Sequence, residues 1–267
     1  MNIFHSIILG IIQGLTEFLP ISSSGHLAIL PKIFGWQDQG LAFDVLLHLG
    51  TLLAVLIFFR KTWLKMIKSL IFYKNENYRK ERKLILLMII AIVPAVIIGI
   101  LFNHSIENRL RIPLVIAINL IFWSLILWIS DWYAERNKNS TKENSPAKSL
   151  IIGIFQMFSL LPGGSRSGLA ITGGFLTGLK REEAVRFSFL ISAPLIFGAG
   201  LVKGIDVLKN PSIAHFDWLG LCLGFLAAFL AGFLAIKLLS YLAKKNSFLP
   251  FVIYRILLGI LILIFLV

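Results

Sequence analysis

Uncharged apolar runs recur along the chain at lengths near the thickness of a bilayer: residues 84–102, 112–130 and 218–236, with a shorter one at 187–202. A spanning helix needs about 20 mostly apolar residues, so each run predicts a span. Two further runs qualify although they carry polar groups. Residues 41–59 contain Asp44 and His48, and residues 248–267 are apolar but for Arg255 near the start. Six spans are therefore predicted. The apolar N-terminal segment lacks the basic stretch and small-residue cleavage site of a signal peptide, and is expected to stay in the mature fold.

Two other apolar segments break before they could cross. Pro20 with residues 22–25, and residues 162–168, interrupt their helices with proline, glycine and serine. The two segments resemble each other. At an offset of 143, Gly10 falls on Gly153, Gln13 on Gln156, Ser22 on Ser165, Ser24 on Ser167 and Gly25 on Gly168; a one-residue slip brings Pro20 onto Pro162. Broken backbone at membrane depth is tolerated only against protein or a wet cavity. The predicted architecture is an all-α polytopic membrane protein of two inverted repeats, each one re-entrant helical hairpin plus three transmembrane helices. Repeat 1 covers about residues 1–133 and repeat 2 about 149–267, joined by a basic linker at 134–148, in a single membrane domain.

Composition agrees: 57% of residues are hydrophobic and 15% charged, against roughly 25% charged in soluble domains. The net charge of +13 would suggest nucleic acid in a soluble protein. Here most of the Lys and Arg fall at 60–83, 136–148, 180–181 and 237–245, between predicted spans. That distribution satisfies the positive-inside rule with those linkers cytoplasmic and both termini on the outer face; it excludes a nucleic-acid partner. Arg186 and Arg255 are expected to snorkel toward the cytoplasmic boundary. The single cysteine, Cys222, excludes an intrachain disulfide.

The breaks hold the chemistry. Gln13 and Glu17 lie one turn apart on a shared helix face, and an ionisable residue at membrane depth marks a functional site or a buried pair. Glu17 with His26 offers the acid and imidazole needed for proton transfer near neutral pH. The second break, Pro162-Gly163-Gly164-Ser165-Arg166-Ser167-Gly168, combines glycines that admit an anion, hydroxyl donors, a resuming helix N-terminus and a guanidinium fork. It forms an anion cradle without the Lys-Ser/Thr ending of a nucleotide-binding loop. The alternative is a simple Glu17–Arg166 neutralising pair. Asp44 and His48 could form a second layer around Glu17, or an ordinary interhelical hydrogen bond.

The blocks Q-G-L-T-E-F-L-P-I-S-S-S-G-H and P-G-G-S-R-S-G resemble the two signature motifs of the bacterial undecaprenyl-diphosphate phosphatase, or bacitracin-resistance, family. The resemblance covers the whole chain in length, motif spacing and hydropathy. It implies a hydrolase that converts undecaprenyl diphosphate to the monophosphate, recycling the carrier for cell-wall (peptidoglycan) synthesis and conferring bacitracin resistance. It also implies the bacterial cytoplasmic membrane, a site open to its outer face, and support by Mg or Ca ions.

By position, the family's functional residues fall on Glu17, Ser23, His26, Ser165 and Arg166, with Gln13 at the first acidic-or-amide position. Glu17, His26, Arg166 and Ser23 are the expected catalytic group. Gln13, Ser22, Gly163, Gly164, Ser165 and Ser167 are the expected substrate-binding group. Gln13 leaves one carboxylate where many relatives have two, so any metal is expected on Glu17 jointly with the substrate's phosphates. Ala170 stands where the second motif expects threonine, and Thr172 lies about 200 degrees further round the helix. The expected partners are the polyprenyl diphosphate and membrane lipids, with a homodimer left open. Whether His26, Ser23 or water attacks phosphorus also stays open. The rival function is a secondary transporter or flippase for an anionic prenyl lipid, which the repeat alone would favour.

Overall fold

A computed structural model of the protein describes residues 3–36, 41–110, 112–137, 139–209, 218–244 and 247–267. Among them are eleven α-helices: α1 (Ile3–Phe18), α2 (Ser23–Phe34), α3 (Leu41–Phe58), α4 (Arg60–Ile71), α5 (Arg79–Arg109), α6 (Pro113–Arg136), α7 (Pro146–Met157), α8 (Arg166–Leu176), α9 (Arg181–Lys209), α10 (Trp218–Leu242) and α11 (Leu249–Phe265). The described residues form no strand beyond a single bridge between Thr141 and Leu179.

Helix α10 shows what solvent the fold is built for. Leu226, Leu230, Leu234 and Leu238 point outward, whereas Gly224, Ala228, Gly232 and Ala235 are buried. Large apolar side chains outside and small ones inside suit lipid, where close backbone packing replaces a hydrophobic core as the driving force. Gly10 and Gly14 of α1 and Gly50 of α3 meet this small face; a Cβ on Gly14 would lie 2.6 Å from the Ala228 carbonyl oxygen, and one on Gly50 2.6 Å from that of Phe225. In the second half Gly153 of α7 packs equally close on Ala91 of α5, its Cβ position 2.5 Å from the Ala91 oxygen. Thus the offset that aligns Gly10 with Gly153 also aligns their packing roles.

Four helices, α5, α6, α9 and α10, are long and apolar enough to cross a bilayer; α3 joins them only together with α4, across a bend of 78°. Among the described residues, length and apolarity alone thus account for four or five of the six expected spans. Helix α11 has 17 residues, about 26 Å of rise against about 30 Å of hydrocarbon. The segment after residue 60, expected as a linker, instead folds as α4. Its lysines 61, 65 and 68 lie on one side, and its exposed Leu64, Ile67 and Ile71 on another, the pattern of a helix lying in the interface. As expected, α1 and α7 are too short to span and end in breaks.

Asp131, buried near the end of α6, joins three helices. One carboxylate oxygen accepts from Arg181 Nε at 2.8 Å, the other from Ser247 Oγ at 2.7 Å and the Phe248 amide at 2.8 Å. Removing one partner of a buried pair strands the other, at about 3 kcal/mol or more. Asp131→Ala is expected to lower the thermal midpoint of the detergent-solubilised protein, with Asp131→Asn intermediate; an unchanged midpoint would show that the contact is inert.

Candidate active site

Pro20 and Pro162 end the two short helical segments, and a serine starts each following helix with the same unusual backbone. Ser22 has φ 76° and Ser165 φ 68°, the two non-glycine residues with positive φ among the described residues. Each caps its helix identically: Ser22 Oγ accepts the Gly25 amide and Ser165 Oγ the Gly168 amide, both at 3.3 Å. Left-handed backbone at an L-residue is costly and persists where the surroundings enforce it, most often at functional sites. Gly163 adds a second constraint. Its φ is 90°, and a Cβ would sit 2.5 Å from the Ile116 oxygen of α6.

The breaks bring Glu17 and Arg166 together. Arg166 Nη2 donates to Glu17 Oε1 at 2.9 Å, and Ser23 Oγ donates to Glu17 Oε2 at 2.6 Å. Gln13 Nε2 also donates to Oε2, at 3.1 Å. His48 of α3 brings Nε2 within 3.9 Å of the same oxygen, while its Nδ1 lies 2.7 Å from the Asp44 backbone oxygen. The expected second layer thus comes from the His48 ring. Two buried atoms are left over: Arg166 Nη1, a donor, and Gln13 Oε1, an acceptor, have no partner. A buried guanidinium nitrogen without a partner is a donor that an anion would satisfy.

Arg255 corrects a sequence expectation. Rather than snorkelling to the boundary it is fully buried, with its two terminal guanidinium nitrogens turned to the backbone of both breaks and Nε left without a partner. Nη2 donates to the carbonyls of Gly163 at 3.2 Å and Gly164 at 3.1 Å, and Nη1 reaches Pro20 O at 3.5 Å. Arg186, in contrast, does stay half-exposed, paired with Glu183 at 3.3 Å.

The neighbour of Arg255, Tyr254, holds His26. A carbonyl only accepts, so His26 Nδ1, 2.7 Å from Ser22 O, carries the proton. In the neutral ring Nε2 is then bare and accepts the Tyr254 hydroxyl at 2.6 Å. Glu17 and His26, expected as a pair, therefore bond to different partners. Sequence reasoning missed Tyr254; the only signal was a Tyr-Arg dipeptide inside the last apolar run.

Several expected donors already have work. Ser167 Oγ donates to Leu19 O at 3.1 Å, tying one break to the other. The Gly164 amide donates to Leu161 O at 3.0 Å. Asn119 of α6, not among the expected residues, donates to Pro162 O at 3.1 Å. The amides of Arg166 and Ser167, in the first turn of α8, have no intrahelical acceptor. Ala170 packs in the apolar core, and the Thr172 hydroxyl donates to Gly168 O at 2.8 Å, so neither offers a hydroxyl to the site.

Comparison with known proteins places residues 6–261 under the family model described as Bacitracin resistance protein BacA. The chain is 42% identical over 261 residues to an undecaprenyl-diphosphatase of Alcanivorax borkumensis, covering 97% of each chain. It is 44% identical over 265 residues to one of Alteromonas mediterranea, again covering 97% of each. With one of Caldicellulosiruptor bescii the identity is 43% over 266 residues, covering 99% of this chain and 98% of the relative.

Proposed function

The chain belongs to the bacitracin resistance protein BacA family, and we propose that it hydrolyses undecaprenyl diphosphate to the monophosphate and phosphate, with Ser23 as nucleophile. The observation that carries this reading is the relay from Ser23 Oγ through Glu17 to Arg166, with distances of 2.6 and 2.9 Å and one guanidinium nitrogen left over. A hydroxyl hydrogen-bonded to a carboxylate that is itself oriented by a third group is the arrangement of an activated nucleophile.

Arg166 Nη1 and the first-turn amides of α8 bind the terminal phosphoryl group and stabilise the charge on its oxygens. Ser23 Oγ attacks that phosphorus and its proton passes to Glu17. The bond to the bridging oxygen breaks, and the lipid monophosphate leaves with the electron pair. Water then attacks the phosphoserine: His26 Nε2, once released by Tyr254, takes the water proton, and Glu17 returns its own to Ser23 Oγ. Phosphate departs, and His26 loses its proton to solvent. His26 lies three residues beyond Ser23 in α2, on the same helix face. Gln13, Ser22, Gly163, Gly164, Ser165 and Ser167 shape and support this phosphate site.

Among the described residues no three of His, Cys, Asp or Glu converge as metal ligands. Gln13 Oε1 is nevertheless a buried, unpartnered acceptor one turn from Glu17. That oxygen pair suits a hard cation shared with phosphates rather than an all-protein cage. Gln13 and Glu17 would hold the Mg or Ca ion, which would neutralise phosphate charge.

The basic linkers support a cytoplasmic placement for their own face. With α3 and α11, the latter a few ångströms short of the hydrocarbon thickness, completing six crossings, the termini and the mouth of the site lie on the outer face, with the two halves crossing in opposite senses and the prenyl tail left in lipid. A transporter would move the lipid without releasing phosphate, so phosphate release from undecaprenyl diphosphate separates the rival reading. With undecaprenyl diphosphate labelled on its terminal phosphate, Ser23→Ala is expected to abolish labelling of the protein and His26→Ala to accumulate an acid-stable phosphoserine. An acid-labile adduct lost in His26→Ala would transfer the nucleophile's role to the histidine.

A further inference from the structure

At the basic end of the bundle, where α3 turns into α4, lies a cavity of about 530 Å³. It shares no lining residue with the site around Glu17. His48, which touches Glu17, stands twelve residues before the start of α4, roughly 18 Å along the helix. Five cationic side chains from four parts of the chain line the cavity: Lys65 of α4, Lys80 and Lys83 at the start of α5, Lys142 of the loop before α7, and Arg186 of α9. Three acids accompany them, Glu81, Glu143 and Glu183, of which Glu183 is held by Arg186. The lining is therefore net positive.

Two buried polar atoms in this lining lack partners. Asn144 is 9% exposed. Its Oδ1 accepts the Ser145 amide at 2.8 Å, which fixes the amide's orientation, and Nδ2 is left as a donor without an acceptor. Glu81 Oε2 is an acceptor without a donor. A ligand that satisfies both brings an anionic oxygen to Asn144 and the lysines, and a hydroxyl to Glu81. The apolar surroundings indicate what such a ligand is attached to: Leu84 and Leu87 form part of the wall, and the exposed Leu64, Ile67 and Ile71 extend along α4 beside it.

We propose that this cavity binds the headgroup of an anionic glycerophospholipid bearing a free hydroxyl, with its phosphate on Lys65, Lys80, Lys142 and the Asn144 amide and its hydroxyl on Glu81. Basic pockets between helices at the membrane surface recognise anionic headgroups in this way. Helix α4, bent by 78° from α3 and carrying an exposed apolar side next to its lysines, gives the acyl chains a surface.

The test is native mass spectrometry of the full chain released from nanodiscs of equal phosphatidylglycerol and phosphatidylcholine. Wild type is expected to retain one phosphatidylglycerol in preference to phosphatidylcholine. Lys80→Gln/Lys142→Gln is expected to retain it roughly tenfold less, and Asn144→Leu to lose the preference, both with wild-type thermal midpoints and phosphate release. Arg166→Ala, which lacks the other phosphate-binding guanidinium, is expected to keep the bound lipid. Equal retention by wild type and the lysine and asparagine variants, or loss in Arg166→Ala, would overturn the proposal. Displacement by millimolar glycerol phosphate as effective as by added phosphatidylglycerol would overturn its lipid component.

Discussion

Arg166→Ala is expected to reduce phosphate release from undecaprenyl diphosphate by about 10³-fold, since removing one preorganised donor to a developing oxyanion costs 10²–10³ and this side chain has a second role. Its Nη2 neutralises Glu17 at 2.9 Å while Nη1, buried without a partner, is the nitrogen proposed to hold the phosphate. Truncation therefore removes the anion's fork and also leaves a 6% exposed carboxylate facing only Ser23, Gln13 and the more distant His48. The conservative variant separates these effects. Lys keeps a charge for Glu17 but cannot hold two partners in a planar fork, so Arg166→Lys should recover thermal stability more fully than turnover. Wild-type turnover in Arg166→Ala would remove the guanidinium from the reaction and with it the assignment of the second break.

The second large effect is expected away from the reacting atoms. Arg255 is a positioning residue: its guanidinium ties carbonyls from the second break, Gly163 and Gly164, and reaches Pro20 in the first. Arg255→Met keeps the length and apolar stem and deletes these bonds. Each carbonyl left buried without a donor costs about 1–3 kcal/mol, partly offset because a buried charge is removed as well. Activity has no such offset, because an ångström of drift between Ser23 and Arg166 is enough to lose about 10²-fold. The expected signature is a kcat that falls about 10²-fold with a modest drop in thermal midpoint, and no recovery in Arg255→Lys. A variant as active as wild type would mean that the breaks hold their geometry without it.

These two arginines also show what the sequence reveals. Arg166 was legible because it lies within a run of glycines and serines that repeats an earlier run, and a charge in that setting has few structural uses. Glu17 was legible because a carboxylate at membrane depth needs a partner. Arg255 carries the same charge in an apolar run, but one cation near the end of a span looks identical whether it turns out to the boundary or inward. Its role exists only because α11 packs on α6 beside both breaks, a proximity across 92 residues to Gly163 that no local pattern encodes. Asp131 was hidden for the same reason. Helix α4 was visible as a basic stretch, and its apolar positions were too few to register as a span, so its helical form went unread. The His26 partner was misjudged because nearness in sequence to Ser23 and Glu17 stood in for nearness in space.

The matched breaks are alike in backbone but not in chemistry: at the common offset Glu17 falls on Leu160, Ser23 on Arg166 and His26 on Leu169. Neither half owns a complete set of reactive groups. During synthesis the glutamate therefore emerges about 150 residues before the cation that neutralises it, and the arginine that aligns both loops arrives only with the last helix. The nascent chain must shelter a buried acid until the second half has been made, and it becomes an enzyme only once α11 has reached both breaks.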